Sequence, residues 1–194
     1  MMLPGAEHSM MSEIKSGGLS KYLIKPINYF VYNIFLDLAN KLINLLPITI
    51  CFIGVGFLFH KYIILFNNIM LIFPLLLSIV FAYLIRYFIG LLLGMVAFWL
   101  TEVSSLYVMT TRIIAFLSGV YFPLFLIPSG LYKIIMFSPL SYICYFPSMI
   151  AIGEMRGQIL LTGLVISGTW VLLLLIITIF IWEIGLRRYE SFGG

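Results

Sequence analysis

Charge is what this chain has least of. Only 9% of its 194 residues are Asp, Glu, Lys or Arg, while 63% are hydrophobic. A soluble domain carries about 25% charged and about 45–50% apolar residues. Water could not solvate the surface such a sequence would present, so an integral membrane protein is expected. Cysteine is nearly absent too. Cys51 and Cys144 stand among apolar neighbours, which gives no disulfide framework and no CxxC metal spacing. Histidine occurs only as His8 and His60, and there is no HExxH, so zinc-protease chemistry is unsupported. The acids Glu7, Glu13, Asp37, Glu102, Glu154, Glu183 and Glu190 never fall at the helical spacing of a paired-carboxylate or di-metal site. A Gly-x-Ser-x-Gly elbow is missing. So is a Gly-x-x-x-x-Gly-Lys-Ser/Thr loop, so if ATP drives this protein another chain binds it. No basic patch is interleaved with stacking aromatics, so nucleic acid is not an expected partner. Pro4, Glu7 and His8 lie where a signal peptide would need its basic and apolar regions.

What is present is long apolar runs. A helix needs about 20 apolar residues, at ~1.5 Å each, to cross a hydrocarbon core ~30 Å thick. Leu42–Phe59 is uncharged, contains Pro47 and is bounded by Lys41 and by His60-Lys61. Ile69–Leu100 carries one charge, Arg86, and reads either as one tilted helix or as two short spans hinged near that arginine. Arg86 costs roughly 2.5–3.5 kcal/mol on insertion scales, which the surrounding Leu, Ile, Phe and Val offset at about 0.3–0.6 kcal/mol apiece. Ile113–Tyr132 is a further run, giving a span at about 108–128. Ile159–Trp182 is uncharged throughout and ends on a tryptophan suited to the interface.

From the second half of the third run onward the prolines concentrate. Pro123, Pro128, Pro139 and Pro147 each remove a backbone donor and clash with the preceding turn. Broken backbone survives at membrane depth only inside protein or beside a wet cavity. Residues 129–153 therefore read as a re-entrant or interfacial hairpin, with a Pro-kinked fifth span as the alternative. The expected fold is all-α: a polytopic transmembrane helix bundle of about four spans (42–59, 69–100, 108–128 and 159–182) plus this Pro-broken hairpin. It comprises a cytoplasmic segment 1–41, a transmembrane domain 42–183 and a cytoplasmic tail 184–194.

Basic residues set the orientation. Four spans with both termini inside place Lys15, Lys21, Lys25, Lys41, Arg112, Arg187 and Arg188 in the cytoplasm, and only Lys61, Lys133 and Arg156 outside. Arg86, deep in a run, reads as a pathway residue or as an arginine snorkelling to the interface. Glu102 lies ~24 Å from it along a straight helix and cannot be its partner there. Gly90 and Gly94, with Ala97, form a small-residue face suited to close helix packing.

Several blocks, in order along the chain, resemble one family. "EIKSGGLSKYLIKPINY" (Glu13–Tyr29) is similar to the segment between the second and third spans of ABC-2-type exporter permeases. "AFWLTE" (Ala97–Glu102), "FLSGVYFPLFLIP" (Phe116–Pro128), "SPLSYICYFP" (Ser138–Pro147) and "GLRRYESFGG" (Gly185–Gly194) continue the likeness. Such permeases have six spans. This chain offers four and begins just before the cytoplasmic loop, so the first two are expected to be missing. A fragment, a mis-started frame and a divergent short subunit remain open.

The resemblance implies a permease subunit in the bacterial plasma membrane, paired with a second permease chain (a homo- or heterodimer) and with separate P-loop ATPase chains. It implies no cofactor in this chain, ATP being bound by the partner. The loop would be the ATPase-coupling element, through Ile14, Lys15, Leu19, Tyr22, Leu23, Lys25 and Pro26. Its apolar members would bury against the partner, and its lysines would meet acidic groups or lipid phosphates. Pro26 would end its helix. A non-catalytic scaffold or assembly subunit and a membrane-embedded lipid-modifying enzyme are the alternatives.

Overall fold

The structure, a computed structural model, describes residues 6–25, 28–58, 69–100 and 103–189, and every regular element among them is helical. In an apolar surrounding only a helix satisfies its backbone within one segment, and this composition leaves no other solution. Eight α-helices are described: α1 (Ala6–Lys15), α2 (Ser20–Leu23), α3 (Tyr29–Leu58), α4 (Ile72–Met95), α5 (Ser104–Leu117), α6 (Ser129–Phe137), α7 (Tyr145–Ala151) and α8 (Gly157–Arg188).

Among the described residues two helices are long and apolar enough to cross a membrane. One is α4 with its 3-10 extension, Ile72–Phe98; the other is α8, of 32 residues. The first settles how the Arg86 run folds: α4 continues through Arg86 without a break, as one helix. Its neighbours Ile85, Tyr87 and Phe88 are buried. The Arg86 Nη1 is itself shielded by protein, while the residue as a whole is half-buried.

Two boundaries differ from expectation. Helix α3 starts at Tyr29, well before the apolar run at Leu42, so the segment 1–41 is not one piece. The cause is a cap that the apolar pattern does not show. Asn28 Oδ1 accepts from the backbone N–H of Phe30 at 3.0 Å and of Val31 at 3.3 Å, meeting donors that a helix start leaves open. Lys41 is no boundary either, since its ammonium lies 2.6 Å from the buried Asp37 carboxylate one turn back within α3.

The third expected span, 108–128, is not one helix. Helix α5 has 14 residues and stops at Leu117, a length of ~21 Å. Gly119 then takes φ +84°, a left-handed conformation that costs glycine little and side-chain-bearing residues more. A Cβ there would also approach Leu124 and Tyr145 at 3.3 Å. The tail expected from residue 184 begins later as well, because α8 runs to Arg188.

The described residues divide into two compact units, to both of which α4 and α8 contribute. The first comprises Met1–Leu58, Tyr87–Ser105 and Ile176–Gly194. In it Glu7, Met10, Met11 and Ile14 form the buried face of α1, at the i, i+3, i+4, i+7 spacing of an amphipathic helix, with His8, Ser12 and Lys15 exposed. That face packs on α3 and on the 3-10 turn Val96–Phe98. Gly94 lets it come close: a Cβ there would stand 3.0 Å from the Glu7 carbonyl oxygen and 3.3 Å from Met10 Sδ. Gly94 is thus a packing glycine within the subunit, and Gly90 is buried beside it.

The second unit comprises Phe59–Arg86 and Leu106–Leu175. Here the prolines act as helix starters rather than kinks. Pro128 precedes α6, and Pro139 opens a 3-10 turn, Pro139–Tyr142. Helices α6 and α7, of nine and seven residues, are too short to span and together form the proline-broken hairpin. The backbone N–H of Tyr145 donates to the Ser118 carbonyl at 3.1 Å. The Tyr132 and Tyr145 hydroxyls lie 3.2 Å apart, and Trp170 Nε1 of α8 donates to the Phe137 carbonyl at 3.0 Å. An open groove of about 620 Å³ runs between hairpin and α8, with Lys133, Met136, Phe146, Gln158 and Ile159 among its walls.

Candidate functional site

The polar passage from Ser12 to Lys25 folds as the end of α1, a tight turn and the single-turn helix α2. The Gly-Gly pair makes that turn. Gly17 adopts φ +73° and its N–H reaches back to the Ile14 carbonyl at 3.4 Å, a bond typical of a glycine-terminated helix, while the Leu19 N–H reaches the Glu13 carbonyl at 3.1 Å. Ser20 Oγ donates to the Gly17 carbonyl at 2.5 Å. The break that stands out in the sequence is therefore an ordered reversal of the chain.

The reversal is anchored by aromatic rings. Tyr29, at the start of α3, stacks on Trp182 of α8 with centroids 5.1 Å apart and planes 10° from parallel. Phe30 and Phe98 both meet Trp182 edge-on, at 4.9 and 5.9 Å. Tyr22 meets Tyr29 edge-on at 5.4 Å. Beyond α8, Tyr189 contacts Phe98 at 6.1 Å, and its hydroxyl lies 3.3 Å from Ser20 Oγ. Such ring pairs contribute about 0.5–1.5 kcal/mol each beyond area burial. Gly185 creates the room: a Cβ there would sit 2.3 Å from Phe98 Cδ2.

Glu13 adds the electrostatic tie. Tyr29 donates its hydroxyl to Glu13 Oε2 at 2.7 Å, and Lys21 Nζ lies 3.8 Å from Oε1. Lys21 also sits 4.8 Å above the Tyr22 ring. Burial, and then the hydrogen bond and charge of Glu13, push the Tyr22 hydroxyl above the ordinary tyrosine value, so it stays neutral. Replacing Tyr29 with Phe keeps the ring stack and removes only this donor. The expected loss is about 1.5–3 kcal/mol, as for other bonds to a charged group, measured as a lower unfolding midpoint in detergent.

The residues expected to carry coupling thus separate into two sets. Ile14 and Leu19 are buried inside the chain, Leu19 completely. They hold the turn in place and present nothing to a partner, so an aspartate at Leu19 would report on folding rather than docking. Tyr22 is half-buried in the ring cluster. Lys15, Lys21, Leu23 and Lys25 are exposed, and so is Ile24, which the sequence reading passed over and which is the most exposed of the turn's apolar residues at 83%. Pro26 and Glu102 lie outside the described residues. Trp182, Phe98 and Tyr189 were also missed. Their partners are remote in sequence, and the only signal was the position of Phe98 and Trp182 near the ends of apolar runs.

A family profile described as ABC-2 family transporter protein matches residues 2–193. The chain belongs to the ABC-2 transporter family. As a member it is a membrane transport protein, a permease of an ABC system rather than a catalyst. No curated protein and no solved structure matches it. In this ABC-2 chain the conspicuous built feature of the first unit is the anchored reversal at residues 12–25. It joins three distant stretches of sequence (α1–α2, the start of α3 and the end of α8) through named side-chain contacts.

Proposed function

We propose that this chain is the transmembrane permease subunit of an ATP-driven exporter in the bacterial plasma membrane. A separate P-loop ATPase supplies the energy and docks on the turn at residues 21–25. The observation that carries this reading is the two-sided character of that turn. Its inner side is fixed by Leu19, Tyr22 and the Glu13–Tyr29 bond. Its outer side shows Leu23 and Ile24, 47% and 83% exposed, between Lys21 and Lys25. A small apolar knob ringed by cations suits a shallow apolar depression with acidic rims on a partner. Because the turn is held to α3 and α8, motion imposed on it is passed to helices rather than absorbed by a loop. Both termini are cytoplasmic in this arrangement, as the distribution of lysine and arginine favours, and a second permease chain completes the assembly.

The test is co-expression with the genomic neighbours, followed by purification through a tag on this chain. The wild-type chain is expected to retain a P-loop ATPase. The pair Leu23→Asp and Ile24→Asp is expected to reduce retention at least about tenfold, the 1.4 kcal/mol or more that two burial contacts supply, while membrane insertion is unchanged. Absence of any retained ATPase on the wild-type chain would remove the exporter reading. Full retention by the double variant would remove the docking role of the turn.

A further inference from the structure

The groove of the second unit is distinct from the turn just described. Its volume, about 620 Å³, falls within the roughly 300–1,000 Å³ of pockets that hold one small ligand. Its walls combine polar and apolar side chains. On α6 the lining begins with Tyr132 and Lys133 and continues with Met136 and Phe137; on α8 it begins with Gln158 and ends with Ile166. The Trp170 bond to the Phe137 carbonyl sets the apolar end of α6 beside the part of α8 that lies beyond Ile166. Polar lining comes first and apolar lining follows on α6, and the α8 wall opens on Gln158 and closes on Ile166 with Ile159 and Thr162 between, so the groove offers both polar and apolar partners, as an amphiphile requires.

The surroundings indicate what sort of amphiphile. Ile159 in the groove and Leu131, Ile134 and Leu161 elsewhere on the same two helices are 57–68% exposed, apolar surface suited to acyl chains and not to water. At the polar end Lys133 is exposed. Arg156 is exposed as well, two residues before Gln158, with its Nε donating to the Gly153 carbonyl at 2.6 Å. Neither cation is in the ion pairs Lys21–Glu13 and Lys41–Asp37. Glu154 is also exposed there, so the charged set carries one net positive charge, and its natural counterpart carries one negative charge.

We propose that this groove is a binding site for a single anionic phospholipid of the surrounding bilayer, its phosphate on Lys133 and Arg156 and an acyl chain along Met136, Ile159 and Ile166. Native mass spectrometry tests it on the full chain, released from bilayers of equal parts phosphatidylglycerol and phosphatidylcholine. One phosphatidylglycerol is expected to stay bound, in at least tenfold preference to phosphatidylcholine. Lys133→Glu should abolish the preference. Ile159→Trp, a substitution on an exposed helix face that fills the groove, should abolish retention of either lipid. Arg112→Glu, an exposed arginine on α5 away from the groove lining, should change nothing. Equal retention of the two lipids overturns the assignment. So does full retention in both Lys133→Glu and Ile159→Trp, or a loss in Arg112→Glu as large as that in Lys133→Glu.

Discussion

Replacing Trp182 with alanine is expected to release the 12–25 reversal from α8 while both long helices still insert. Trp182 is 9% exposed and touches the rings of Tyr29, Phe30 and Phe98. Truncating a buried tryptophan to alanine costs about 3–5 kcal/mol, from lost contact and from the cavity left behind. This truncation removes three ring contacts and leaves a cavity, whereas Tyr29→Phe removes one hydroxyl, so the unfolding midpoint should fall further than for Tyr29→Phe. Retention of the ATPase should fall with it, although Trp182 lies outside the docking turn. Trp182→Phe keeps an aromatic face and should recover most of both losses. A protein with an unchanged midpoint after Trp182→Ala would show that the stack does not hold the turn.

The second large effect is expected at Gly163. A Cβ there would lie 2.2 Å from Phe146 Cε2, and Phe146 is almost wholly buried. The ring cannot yield without disturbing Tyr142, whose ring is 5.3 Å away and which is buried as well. Overpacking of this kind costs about 1–3 kcal/mol. Gly163→Leu should therefore favour separation of the α6–α7 hairpin from α8 by roughly one to two orders of magnitude. Cys144, adjoining α7 and half-buried, reports it. In a Cys51→Ser background, maleimide should label Cys144 faster by that factor in Gly163→Leu. Thr169→Leu, on an exposed face of α8, should leave the rate alone. Equal rates in the two variants would show that the hairpin is not held through the Phe146–Gly163 contact.

The apolar runs foretold α4 and α8 because length and hydropathy alone decide whether a helix can cross a bilayer. The same signal failed at 108–128. There a left-handed Gly119 ends the helix, and a run of Leu, Phe and Ile gives no hint of backbone conformation. The prolines marked the hairpin correctly as broken, but their role as helix starters depends on Ser138 and Pro128 adopting extended backbone first. In the first unit the Gly-Gly turn and the basic residues were legible, being local features. What was not legible was which apolar residues of the turn face inward. Leu19 and Leu23 are the same residue type four positions apart, and only the packing of the folded chain buries one and leaves the other exposed. Ile24, and not Leu19, is the residue that the docking reading needs.

Helix α3 runs unbroken from Tyr29 to Leu58, although its apolar run begins only at Leu42. At ~1.5 Å per residue some 20 Å of rigid stem precedes that run, braced inside by Asp37 and Lys41. A stem of this kind works as a crank. It carries torque as well as thrust, so a twist applied where Tyr29 meets Trp182 is passed up the stem to the start of the apolar run at Leu42.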